Sequence, residues 1–195
     1  WETHTSLRFV ESSASSGDRI RVVDGSGCSS YVGRRGGRQD LTLSRWCGRG
    51  AAIHEIGHAM GLWHEQSRAD SDEHVTKHWN NIESGKEHNF RTYAQRWQPG
   101  VDLGPYDHGS IMHYSSFAFS INGEPTIVLA ANQQPYQHNR NQLSALDIEG
   151  VQALYAEQAC GCASNETCTT DGDCVYFVDV PVGSTHAANI DTIFE

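Results

Sequence analysis

His54 and His58 stand four residues apart with Glu55 directly after the first, the pattern HExxH. On a helix, residues at i and i+4 share one face about 6 Å apart along the axis, a spacing at which two imidazoles can share one metal ion. The carboxylate beside the first ligand can hold and deprotonate a coordinated water, so the pattern supplies both a metal and a base. His64 extends it. On an unbroken helix His64 would lie about 9 Å beyond His58 and roughly 240° round, out of reach of the same ion. The helix must therefore break, and Gly61 sits where a left-handed residue can reverse the chain at low steric cost. Three imidazoles leave a coordination position open to water, which is the catalytic arrangement of zinc and not its closed structural one. His54, His58 and His64 are thus the expected ligands of one catalytic Zn2+, each through a neutral ring nitrogen, with Glu55 as general base.

The elements that must hold these residues are legible in outline. Residues 7–10, 19–24, 28–32 and 40–44 read as short strands, separated by glycine-rich or small polar turns. Residues 51–60, rich in Ala, Ile and Met, read as a buried helix carrying the histidine pair. A second helix is expected over 144–156, with Ser144 and Asp147 as an SxxD cap and an apolar stripe of Leu146, Val151, Leu154 and Tyr155. The basic run Arg34-Arg35-Gly36-Gly37-Arg38 reads as a solvated turn, and His74, His78 and His88 as surface or packing residues.

Composition sets the remaining bounds. A chain of 195 residues with 37% hydrophobic content can bury one sizeable core, or one domain with a small appendix. A formal charge of −10 argues against nucleic acid or an anionic membrane as partner, and no run approaches transmembrane length. The cysteines are six, an even set, with Cys160, Cys162, Cys168 and Cys174 crowded together. That density suits an oxidising compartment. A second zinc site is the competing reading of the cluster, although its spacings match no paired CxxC pattern. The opening Trp1-Glu2-Thr3-His4 lacks the basic region and apolar run of a signal peptide, as expected of a processed or trimmed protein. Residues 1–158 are expected to form the main domain and 159–195 a small stapled appendix.

HExxHxxGxxH, followed here by Glu65, resembles the astacin family of the metzincin zinc endopeptidases. Ser110-Ile111-Met112-His113-Tyr114 is similar to the family's Met-turn, SxMHY, and further likeness runs through residues 27–33 and 143–148. The resemblance implies an α+β, metzincin-like catalytic domain: a mixed twisted sheet over the zinc helix, then a mostly irregular C-terminal lobe ending in a helix. It implies a secreted enzyme that hydrolyses peptide bonds with zinc-activated water, taking protein or peptide substrates and a propeptide or inhibitor as partners, with no nucleic acid and no membrane insertion.

The same resemblance assigns further roles. Met112 is implied to lie under the imidazoles as an apolar floor, and Tyr114 to be both a resting zinc ligand and a donor to the tetrahedral intermediate. His113 is read as structural. Cys28, Ser29, Ser30 and Tyr31 correspond to a cleft-edge strand that pairs with substrate backbone. Arg140 corresponds to an arginine that favours Asp or Glu just after the scissile bond. Cys28 is implied to bond to Cys47, leaving the four tail cysteines to pair among themselves. Glu65 corresponds to a glutamate that pairs with a buried N-terminus in mature family members. The family's segment preceding residue 7, a long helix and first strand, has no counterpart here, so the N-terminal portion reads as shortened and Trp1 is not taken as that partner. A latent or catalytically weak homologue acting as a binding module is the alternative function.

Overall fold

A computed structural model of the chain describes residues 1–11 and 17–155. Two compact units are present: one is Trp1–Leu62 together with the described residues from Ile148 onward, the other Trp63–Asp147. The expected appendix over 159–195, with its four cysteines, lies outside the described residues.

The sheet of the first unit has three strands in the order β1 (Arg19–Val23), β3 (Arg38–Leu43), β2 (Cys28–Ser29). β1 runs parallel to β3 and β2 antiparallel, so the sheet is mixed and β2 forms one edge. Register between β1 and β3 sets Arg21 opposite Asp40, and a two-pronged ion pair at 2.9 and 2.7 Å holds it there. Alternation along β3 buries Gln39 and Leu41 and exposes Arg38, the period-2 pattern of a strand with one covered face. After β3 the chain turns through Ser44 and Cys47, whose disulfide to Cys28 joins residues 19 apart in sequence and bears out the expected pairing. Closing a loop of that length stabilises by about 3 kcal/mol, mainly by restricting the unfolded chain.

Helix α1 (Arg49–Ala59) follows. Its buried face includes His54, Glu55 and His58, and its C-terminal end packs Met60 with Leu7, Val151 and Tyr155, flanked by Trp1, Ile56, Leu62 and Leu154. The Tyr155 hydroxyl donates to the Met60 carbonyl at 2.8 Å, so an orphan acceptor at the helix end is satisfied inside this core. Burial pushes the Tyr155 phenol above its ordinary range, which keeps it a donor.

Residues 7–10 differ from the expected strand. Only Leu7 is buried, while the Arg8 guanidinium folds back onto the carbonyls of Thr5 at 3.1 Å and Leu7 at 2.8 Å, and the Phe9 amide donates to the Glu2 carboxylate at 2.7 Å. Local side-chain bonds therefore occupy the backbone groups that a ladder would need.

The second unit carries little regular structure. β4 (Val75–Lys77) pairs antiparallel with β5 (Ile127–Leu129), burying Val75, Ile127 and Val128. A four-residue helix, α2 (Ser71–His74), and tight turns at Glu65–Ser67, Trp79–Asn81 and Glu87–Phe90 complete it. Helix α3 (Ala145–Leu154) begins at the expected cap: the Asp147 amide donates to Ser144 Oγ at 2.9 Å and the Ser144 amide to Asp147 Oδ2 at 2.8 Å. α+β composition, few helices and small sheets agree with the fold class expected from the motifs.

Candidate metal centre and its supporting network

His54 and His58 lie on the buried face of α1 with ring centroids 4.5 Å apart. The helix ends as the glycine predicted. Gly61 takes φ +103°, its amide donates to the His58 carbonyl at 2.8 Å, and the Leu62 amide donates to the Gly57 carbonyl at 3.0 Å. These paired bonds are the Schellman ending of a helix. Ile56 and Leu62 both pack on the same core cluster, the apolar contact that accompanies such an ending.

The chain thus turned brings His64 back, and the ligand atoms of His54, His58 and His64 all lie within 4.8 Å of one another. All three side chains are essentially fully buried. It is the only group of three or more His, Cys, Asp or Glu suited to a metal among the described residues, and His74, His78 and His88 build no second one. Three nitrogen donors without sulfur or carboxylate fit zinc with a position left for water or substrate. His58 Nδ1 lies 2.8 Å from the Leu62 carbonyl, which can only accept, so Nδ1 carries the proton and Nε2 keeps its lone pair for the metal. The three histidines are therefore set to bind one zinc ion. Glu55 is 1% exposed and directly follows the first of them, so its carboxylate sits out of bulk water.

The Met-turn is built from the second unit alone. Glu65 donates its amide to the Met112 carbonyl at 3.1 Å, and Gln66 Oε1 accepts the Tyr114 amide at 3.1 Å. Two consecutive residues after His64 thus grip two positions of the turn. Tyr114 is fully buried, with its ring 4.4 Å from that of His64 and 5.7 Å from those of Phe90 and Phe119. Met112 is likewise buried, its amide donating to Ser110 Oγ at 3.0 Å. From α3, Asp147 accepts from Ser110 Oγ at 2.6 Å and from the Ile111 amide at 3.0 Å. Arg140 donates to the Ile111 carbonyl, so its guanidinium is tied to the same turn.

Several of these supports were not singled out from the sequence. Gln66 binds backbone, and no spacing rule marks it for this task, while Asp147 was expected only as the cap of α3 and not as a support of the Met-turn. The network around His113 was equally hidden. Tyr106 donates to His113 Nε2 at 2.7 Å, His113 Nδ1 donates to the Tyr114 carbonyl at 3.0 Å, and Tyr136 donates to that carbonyl at 2.7 Å. Burial drives His113 down to about 3, so the ring is neutral and serves as a spacer with one donor and one acceptor. Burial also pushes Tyr106 and Tyr136 upward, keeping both as phenols.

Glu65 finds local partners. Its Oε1 accepts the Asp107 amide at 2.8 Å and lies 3.4 Å from Arg68 Nη1. Burial pushes its carboxyl up to about 7, against the opposing pull of that amide and the guanidinium. Trp1 instead donates its indole N–H to the Ile53 carbonyl at 3.0 Å. Cys28, Ser29, Ser30 and Tyr31 form the edge strand β2 and its continuation, with Ser29 and Ser30 buried and the other two half-buried.

Comparison with known proteins agrees with this geometry. Residues 1–156 match the model of the peptidase family described as Astacin. Zinc metalloproteinase nas-15 of Caenorhabditis elegans is 39% identical over 156 residues, covering 80% of this chain and 27% of that protein. Meprin A subunit beta of Homo sapiens is 50% identical over 111 residues, 56% of this chain and 16% of its own length. Among solved structures, high choriolytic enzyme 1, a hatching enzyme zinc-protease from the medaka fish Oryzias latipes, superposes with a TM-score of 0.71 at 37% identity, covering 80% of this chain and 76% of that one. The site and fold are those of a zinc-binding metzincin. The chain belongs to the astacin family. It spans about a third or less of the length of the first relatives it matches.

Proposed function

We propose that the chain is a zinc endopeptidase that cleaves protein or peptide substrates. The observation that carries this reading is the buried convergence of His54, His58 and His64 with Glu55 beside the first ligand. Zinc, when bound, makes water acidic near neutral pH and polarises a carbonyl. Glu55 takes the proton released from the attacking water and passes it to the leaving amine. Tyr114 donates its phenolic hydrogen bond to the carbonyl oxygen as negative charge develops there, and also serves as a resting ligand. Met112 supplies the apolar floor. Its buried position on a turn fixed by Asp147, Glu65 and Arg140 supports that role.

Substrate backbone pairs along Cys28 to Tyr31. The position of β2 at the edge of its sheet supports this, because an edge strand offers unpaired N–H and C=O groups. Arg140, tied to the Met-turn, favours Asp or Glu just after the scissile bond. Secretion fits the Cys28–Cys47 disulfide, and among the described residues no helix is long and apolar enough to cross a membrane. A propeptide or inhibitor is the expected regulatory partner, and 1–158 with 159–195 remains the proposed division of the chain.

Metal analysis combined with peptide hydrolysis tests the reading. One equivalent of zinc, cleavage abolished by a chelator and restored by added zinc are the expected results. Stoichiometric zinc without cleavage of any peptide would sink the enzyme assignment and leave the latent binding module.

A further inference from the structure

Residues 17–49 carry seven arginines and three aspartates, in a chain whose formal charge is −10. Three of these cations are matched by aspartates of the same segment. Arg34 pairs with Asp18, Arg21 with Asp40 at 2.7 Å, and Arg38 lies 3.8 Å from Asp40. Arg35 differs: it is exposed and makes no ion pair among the described residues. Its guanidinium lies over the Tyr31 ring, 4.6 Å from the centroid. A guanidinium over a ring keeps N–H donors that the aromatic face does not use, and these can take a carboxylate.

The backbone that carries this cation is held by hydrogen bonds. Its own amide donates to Gln39 Oε1 at 3.0 Å, Gln39 Nε2 donates to the Gly33 carbonyl at 3.1 Å, and the Gly33 amide donates to the His58 carbonyl at 2.8 Å. Gln39 is buried in β3. A chain of hydrogen bonds therefore runs from the backbone of a zinc ligand to the backbone of Arg35, and Tyr31, its platform, continues the edge strand.

We propose that Arg35, held over the Tyr31 ring beyond the end of β2, is a specificity-determining residue that binds an acidic side chain of the peptide substrate, at a position separate from the one assigned to Arg140. The inference rests on the reading of β2 as the substrate-pairing edge. It replaces the solvated-turn reading at one of the three arginines and leaves it standing for the other two.

Binding by the zinc-loaded, full-length Glu55→Gln protein separates this inference from catalysis. The probes are fluorescent peptides identical except for Glu or Gln at one position, moved along the peptide in turn. At one position the Glu peptide should bind about two- to fivefold more tightly at low ionic strength, and salt near 1 M should erase the difference. Adding Arg35→Gln should bring that ratio to unity while leaving the ratio at the Arg140-dependent position intact. Arg35→Lys should keep part of the preference, and Arg35→Glu should invert it in favour of a Lys peptide, a result that misfolding does not produce. Unchanged Glu-to-Gln ratios at every position in the Arg35→Gln background, or no charge preference in the parent protein, would overturn the proposal. Failure of the wild-type chain to hydrolyse the Gln peptides would count against the endopeptidase reading instead.

Discussion

His58 Nδ1 donates to the Leu62 carbonyl at 2.8 Å, and that bond depends on the turn at Gly61. The same chain reversal that frees His64 from the helix also fixes the tautomer of His58 and aims its Nε2 lone pair. One glycine thus serves two of the three ligands.

Gly61→Ala should show this coupling. At φ +103° a Cβ is strained, at a cost of about 1–3 kcal/mol. Relaxing the strain shifts the Leu62 carbonyl and the start of the His64 segment together. The variant should unfold at lower denaturant concentration and bind zinc more weakly, as read by competition with a chromophoric chelator. Lost stability with zinc affinity unchanged would uncouple the turn from the ligand set.

Glu55→Gln keeps the size of the side chain and removes its basicity. Zinc content should stay at one equivalent, because Glu55 is not among the expected ligands, while kcat/KM for a peptide drops by about 10²–10⁴. Activity surviving in this variant would remove Glu55 from the role of base.

Much of this centre was readable because its chemistry is periodic. An i, i+4 pair and a glycine before the third histidine are rules about geometry, and the structure obeys both. The disulfide followed from family likeness, and the α3 cap from Ser144 and Asp147. What stayed hidden acts through backbone. Gln66 holds the Tyr114 amide and Tyr106 holds His113 across separations of 48 and 7 residues, and no sequence spacing encodes such a contact. Residues 7–10 failed for the opposite reason: alternation was present, but the Arg8 and Glu2 side chains took the backbone groups first.

Tyr114→Phe removes one oxygen from a ring that stays packed against His64, Phe90 and Phe119. Stability should change by less than about 1 kcal/mol. If the phenol stabilises developing charge, kcat should fall by about 10²–10³ with little change in KM. Equal kcat values for the two proteins would reduce Tyr114 to a packing residue.

Asp147 joins the first turn of α3 to the Met-turn, and its substitution should separate the demands of charge from those of shape. The buried carboxylate accepts from Ser110 Oγ, the Ile111 amide and the Ser144 amide. Asp147→Ala strands these donors, so the loss should be about 3 kcal/mol, with reduced activity as Met112 and Tyr114 loosen. Asp147→Asn should cost less. Burial holds the Asp147 carboxyl above its usual range despite the three donors, which pull it down. A folded-state pKa above the unfolded value, about 3.9, means that folding favours the protonated form. The associated stability is complete below the unfolded pKa and is lost as pH rises through the folded one. The unfolding free energy of wild type minus that of Asp147→Asn should therefore decline as pH climbs from about 3.5 toward neutrality, titration of the zinc ligands cancelling between the two proteins. A difference that grows with pH would mean that the three donors outweigh burial and hold the carboxylate in its charged form.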